Sequence, residues 1–214
     1  MEMENQTLSR YTRKIGNVTL VAQCLPLLGN PVQWLLETVS SFAGVGRGLA
    51  DDVTINIGWS FLKLVKQLDG SLMICEPDFR GNIYNFVPHV TQTLVIIGMQ
   101  QKVMAGLKYS ITPLNTLFNQ TMVIQKECLD KKMVYLHRRK PSSNQDSGWY
   151  IGPVSPDDQT EEYKVIYSYQ LFQANRPALI SALLLPIDYV AIFNGDKIIG
   201  VSSDRKEEVW QGYK

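Results

Sequence analysis

C-L-D-K-K-M-V-Y-L-H-R-R-K-P-S-S-N-Q-D-S-G-W-Y-I-G-P, residues 128–153, is the stretch on which the reading of this 214-residue chain turns. Met133-Val134-Tyr135-Leu136 has the β-branched and aromatic content of a strand and runs into the basic cluster His137-Arg138-Arg139-Lys140. Pro141-Ser142-Ser143-Asn144 then breaks it, because proline gives no N–H to a ladder and Ser and Asn side chains compete for the backbone. Order returns at Asp146-Ser147-Gly148-Trp149-Tyr150-Ile151-Gly152. The basic segment and the tryptophan segment are therefore expected to be neighbouring elements joined by a surface loop.

Working outward, Met122-Val123-Ile124-Gln125-Lys126 reads as a strand that turns at Leu129-Asp130-Lys131 to make a hairpin with the Met133 strand. Downstream, residues 153–162 form a loop rich in acid, with Pro156-Asp157-Asp158 and Glu161-Glu162. Residues 164–172 alternate through Val165, Tyr167, Tyr169 and Leu171. Asn175 as cap and Pro177 just inside predict a short apolar helix over 176–184. Tyr189 to Phe193, Asn194-Gly195 and Lys197 to Val201 form a hairpin on the strongest two-residue turn signal. Residues 206–214 are expected to be exposed.

In the first half, a polar tail precedes a strand over 17–25. Asn30 as cap and Pro31 as first residue open a helix whose Val32, Leu35, Leu36, Val39 and Phe42 share one face. Gly44-Val45-Gly46-Arg47-Gly48 follows a helix and precedes a strand, the reverse of a phosphate-binding order, and reads as a flexible connection. Residues 53–59 alternate as a strand, and a hairpin turns at Asp69-Gly70 between 61–67 and 71–75. Glu76-Pro77-Asp78 begins a loop to Pro88, and Leu94, Ile97, Met104 and Leu107 suit a helix over 90–107. The expected class is α+β: two small layered domains, each a mainly antiparallel sheet of hairpins packed with one or two helices. Residues 1–112 and 121–214 are the expected domains, with 113–120 as linker.

The order of a V-Y-L strand, an Arg, a Pro, a short polar loop and D-S-G-W resembles the DSGW-containing bacterial immunity proteins, immunity protein family thirty-three. The matching positions are Val134, Tyr135, Arg138, Pro141, Asp146, Ser147, Gly148, Trp149 and Gly152, while 151–156 departs from the acidic ending of that pattern. The resemblance covers the last hundred residues or so. It implies a protein that binds a cognate toxin of a contact-dependent or polymorphic toxin system and blocks its active site.

Composition agrees with a soluble globular chain: 45% hydrophobic, 19% charged, and 21 Lys and Arg against 20 Asp and Glu for a net charge of +1. Such a balance offers no long-range attraction to nucleic acid or an anionic membrane. Cys24, Cys75 and Cys128, with no C-x-x-C pair, fit buried thiols in a reducing cytosol. Residues 1–6 lack a signal-peptide pattern, and the apolar runs at 94–98 and 178–186 fall short of the roughly 20 residues of a bilayer span. The expectation is a cytoplasmic protein that is not an enzyme, with no catalytic residue, cofactor, metal, membrane or nucleic-acid partner.

Binding to a protein needs only a complementary surface with anchors and matched charge. The candidate partner-binding residues are Asp157, Asp158, Glu161, Glu162 and Tyr163, with Asp146, Trp149 and Tyr150. Against a basic nucleic-acid-processing toxin the acidic loop would mimic phosphates and speed association. Two alternatives stand beside this. One is a nucleic-acid accessory module using residues 137–140, a run that otherwise reads as a solvated strand edge. The other is a small carboxylate enzyme at Glu76 and Asp78, near His89.

Overall fold

A computed structural model of the chain describes residues 7–44 and 48–213. The start at residues 1–6, Val45-Gly46-Arg47 of the glycine-rich connection and Lys214 lie outside the described residues. The chain divides into two units, Met1–Gly98 and Met99–Lys214.

In the first unit β1 (Ser9–Ile15) and β2 (Val18–Cys24) pair as an antiparallel hairpin. β1 corrects the expected polar tail: its Arg10, Arg13 and Lys14 are exposed and hide its apolar periodicity, as suits a charged sheet edge. A 3-10 turn (Pro26–Leu28) leads into α1 (Gly29–Ser41). The helix begins with Leu28 at the cap position and no side-chain capping bond, so Asn30 lies inside it and is not the expected cap. Its Val32, Leu35, Leu36 and Val39 are fully buried against β-strand residues such as Leu20, Leu62 and Ile74. Each such side chain contributes about 1.5–3 kcal/mol of transfer free energy.

β3 (Thr54–Ile57), β4 (Ser60–Lys66), β5 (Leu72–Pro77) and the short β6 (Phe86–Val87) complete this sheet. The order is β1-β2-β5-β4-β3 with β6 on β5, and β2 and β5 run parallel. The Asp69-Gly70 turn joins β4 and β5 as expected, with Gly70 at φ +82°. Glu76 lies inside β5, fully buried, rather than in a loop. Its carboxylate accepts the N–H groups of Gln92 (3.0 Å) and Thr93 (2.7 Å), capping the start of α2 (Thr91–Ala105), and His89 Nδ1 stands 2.8 Å from it.

The second unit holds β7 (Thr121–Gln125), β8 (Met133–Arg138), β9 (Asp146–Pro153), β10 (Tyr163–Tyr167), β11 (Val190–Asn194) and β12 (Lys197–Ser202). A four-residue α3 (Gln170–Gln173) and a 3-10 helix (Pro177–Ala182) lie between β10 and β11. The sheet order is β10-β7-β9-β8-β11-β12. β8 and β9 are antiparallel neighbours, and β11 and β12 turn at Asn194-Gly195, both as expected. The expected β7–β8 hairpin does not form, because β9 lies between them, parallel to β7 and antiparallel to β8.

Alternate residues of these strands, among them Met122, Ile124, Val134, Leu136, Trp149, Ile151 and Phe193, are buried. The residues between them form the other face. There Val123, Tyr163, Val165 and Tyr167 are exposed. Within the segment 113–120, Thr116 and Phe118 are buried and the Leu114 N–H donates to Leu184 O at 2.9 Å. The C-terminal stretch is not exposed throughout: Val209 is buried and its N–H donates to Val201 O at 2.8 Å.

Candidate functional site

The D-S-G-W residues begin β9, and each has a mechanical task. Asp146 Oδ2 accepts from the Ser142 N–H and Oγ, both at 2.8 Å, and its Oδ1 accepts from the Gly148 N–H at 2.8 Å, which closes the loop after Lys140. Burial pushes the Asp146 carboxyl up, but the bonds from Ser142 and Gly148 outweigh it and hold its pKa below the usual carboxylate range. Ser147 Oγ donates to Thr121 O at 2.7 Å and accepts from the Trp149 N–H at 3.2 Å, tying β9 to β7. Gly148 sits at φ +76°, and a Cβ there would stand 2.1 Å from Arg139 O. Trp149 is 1% exposed and donates from Nε1 to Thr116 Oγ1 at 3.0 Å.

Arg138, also in the motif, is 2% exposed and stacks over Trp149 at 5.5 Å. Its Nε donates to Ser147 O (3.2 Å) and its Nη2 to Asn115 O (3.2 Å). Its Nη1 faces the carbonyls of Leu114, Leu183 (3.4 Å) and Leu185 (2.9 Å). Burial pulls its pKa down to about 10, so the group still carries its charge at neutral pH. The run 137–140 is thus neither a sheet edge nor one basic patch. β8 lies between β9 and β11, Arg138 points inward, and only Arg139 and Lys140 are exposed.

On the opposite face lies a cleft of about 760 Å³ lined by Val123, Gln125, Tyr135, Arg139, Tyr150, Gln159, Thr160, Glu161 and Tyr163. Strand alternation puts the Tyr135, Tyr150 and Tyr163 rings in a row, with centroids 5.7 and 6.2 Å apart. Gly152 makes room for two of them, since a Cβ there would lie 2.9 Å from the Tyr150 ring and 3.2 Å from that of Tyr135. The Arg139 guanidinium lies 5.2 Å from the Tyr150 ring centroid. Gln125 donates to Thr160 O and holds the acidic loop against the sheet, and its Oε1 lies 3.4 Å from the Tyr150 hydroxyl. Burial and the neighbouring Tyr135 push the Tyr150 hydroxyl pKa above its ordinary value. A smaller hollow of about 160 Å³, lined in part by Asp146, Trp149 and Tyr150, shares Val123, Arg139 and Tyr150 with the cleft.

Of the residues singled out from sequence, Glu161, Tyr163 and Tyr150 meet at this cleft, and Asp146 and Trp149 line the hollow beside it. Asp158 and Glu162 turn to lysines of their own unit, Lys131 (2.6 Å) and Lys126 (2.5 Å). The bond from Lys126 holds Glu162 below its ordinary pKa. Asp157 and Glu161 make no ion pair among the described residues. Sequence reasoning missed Val123, Gln125, Gln159 and Thr160, and it singled out Tyr135 and Arg139 only for the family pattern and the basic run, not for this cleft. The alternation of β7 and β8 marked which of their residues share a face, but not which strands adjoin.

Elsewhere, Glu76 and His89 meet as a helix cap, while Asp78 Oδ1 accepts from the Gly81 N–H at 2.9 Å. Among the described residues no group of three or more His, Cys, Asp or Glu is placed to hold a metal ion, and no helix is long and apolar enough to cross a membrane.

Residues 99–211 match the family model described as Imm33-like domain, just over half of the 214-residue chain. The D-S-G-W stretch, Arg138 and the tyrosine cleft all fall within that match. No curated protein and no solved structure matches the chain. The chain belongs to the Imm33-like domain family, and its immunity-type domain is the unit built on the β10-β7-β9-β8-β11-β12 sheet.

Proposed function

We propose that this protein is a cytoplasmic immunity protein that binds a cognate bacterial toxin through the tyrosine-lined cleft and neutralises it by covering the toxin's active site. The observation that carries this reading is the open sheet face. Three tyrosines in a row, two of them against Gly152, stand beside Glu161 in the cleft, and neither Glu161 nor Asp157 of the same loop has an ion pair among the described residues. Tyrosines present large, rigid contact area at low entropic cost and are enriched at binding hot spots. The acidic loop suits a basic toxin that processes nucleic acid, because carboxylates at the rim steer such a partner and imitate the phosphates of its substrate. Binding and occlusion require no chemistry from this chain.

Co-expression with the product of the adjacent large open reading frame tests the proposal. Cells should survive, and the two proteins should co-purify at about 0.5 M salt, where exposed electrostatics are largely screened. Tyr163→Ala combined with Glu161→Lys should abolish both protection and co-purification. Cell death despite soluble expression of the wild-type protein would remove that gene product as the partner. An undiminished complex in the double variant would move the contact surface away from the cleft.

A further inference from the structure

Building on the toxin-binding reading, we propose that the free edge of β10 pairs with an extended, basic segment of the toxin, which adds a strand to the sheet and lays its flanking side chains into the cleft. Among the described residues β10 ends the sheet and pairs only with β7, without a bulge over Tyr163–Tyr167. The Lys126 N–H donates to Glu162 O and the Ser168 N–H to Gln120 O, both at 2.9 Å. By antiparallel alternation the backbone groups of Lys164 and Ile166 also face β7, and those of Tyr163, Val165 and Tyr167 point away from it. Gln170 Oε1 accepts from the Tyr167 N–H at 2.8 Å, while the Tyr163 and Val165 N–H groups have no acceptor among the described residues.

The opposite edge is closed. The Val209 N–H donates to Val201 O at 2.8 Å, the Val201 N–H to Glu208 Oε1 at 3.2 Å and the Ile198 N–H to the Tyr213 hydroxyl at 3.3 Å. β10 instead leaves Tyr163, Val165 and Tyr167 at 56%, 67% and 46% exposure on the cleft face. An unprotected edge of this kind is a template for strand addition.

Charge selects the occupant. Asp157 and Glu161, just before the strand and without ion pairs among the described residues, are met by basic residues of an incoming segment whose alternate apolar residues cover Val165. A second copy related by a two-fold axis at Val165 would pair only five residues and leave the cleft unfilled. That is short of the roughly 20–30 residues a side of a stable interface.

Val165→Pro isolates the edge, because it removes an outward N–H and takes no donor from the β7 ladder. The probe is the catalytically inactivated product of the adjacent large open reading frame, measured by titration calorimetry and by amide hydrogen exchange. The expected result is protection of the Tyr163 and Val165 amides in the wild-type complex and at least about tenfold weaker binding of Val165→Pro. Binding without that protection, or unchanged in Val165→Pro, overturns strand pairing and leaves toxin binding intact. Absence of any wild-type binding overturns both. A wild-type dimer in light scattering that becomes monomeric in Val165→Pro assigns the edge to a second copy and overturns the toxin segment as occupant. Exchange on the unsubstituted protein keeps the test decisive even where the proline variant unfolds.

Discussion

Gly148→Ala compared with Gly195→Ala separates two reasons for a glycine in the second unit. Both glycines have positive φ, +76° and +59°, so an alanine at either site meets the left-handed penalty of about 1–2 kcal/mol. Part of that is offset by the reduced freedom of the unfolded chain, about 0.4–1 kcal/mol. Gly195 has nothing within 4 Å of the added Cβ, whereas at Gly148 the Cβ would lie 2.1 Å from the Arg139 carbonyl oxygen. Backbone cannot swing aside as a side chain can. The strand pair must open, losing the Arg139 N–H to Gly148 O bond of 2.8 Å and adding overpacking strain. These terms are about 0.5–1.5 and 1–3 kcal/mol. Gly195→Ala should therefore cost about 1 kcal/mol or less, and Gly148→Ala about 2–4 kcal/mol more than that. Urea unfolding followed by tryptophan fluorescence, compared at equal m-value, measures the difference. A difference below about 1 kcal/mol would refute the argument that close backbone approach, rather than φ alone, requires glycine in the D-S-G-W turn.

Arg138→Met should destabilise the second unit by about 3–5 kcal/mol in the same assay, because it strips donors from the carbonyls of Leu114, Asn115, Ser147 and Leu185. Arg138→Lys should recover less than half of that loss, since one ammonium cannot span carbonyls set around a planar fork, and a neutral Arg138→Met would show that those carbonyls find other partners. Asp146 has a folded pKa below its unfolded value, so its contribution is fully present above about pH 4 and is lost as pH falls through the folded pKa. Asp146→Asn should accordingly lower the Tm by a few degrees at pH 6, and the gap to wild type should close as pH falls toward 3. A gap independent of pH would mean that the carboxylate charge contributes nothing to the loop.

Local chemistry was legible wherever a short stretch decides its own conformation. Asp69-Gly70 and Asn194-Gly195 turn hairpins because glycine enters positive φ at little cost, and Gly70 and Gly195 stand at +82° and +59°. The apolar face of α1 was readable because Val32, Leu35, Leu36 and Val39 recur at helical spacing. β1 was not, since a half-exposed edge strand owes its order to pairing with β2 rather than to its own apolar residues. The acidic loop was visible by composition, yet which of its carboxylates are paired, Asp158 and Glu162 but neither Asp157 nor Glu161 among the described residues, depends on where Lys131 and Lys126 sit in three dimensions.

By itself the sequence determined the turns, the helix face, the break after Lys140 and the D-S-G-W signature that falls within the Imm33-like domain. Each of these rests on interactions between residues a few positions apart. Only the tertiary structure decided that β9 enters between β7 and β8, that Arg138 turns inward to carbonyls 9 to 47 residues away, and that Tyr135, Tyr150 and Tyr163 line one cleft. Periodicity tells which side of a strand faces the core. It carries no information about which strand lies next to it, and that choice follows from the packing of the whole sheet.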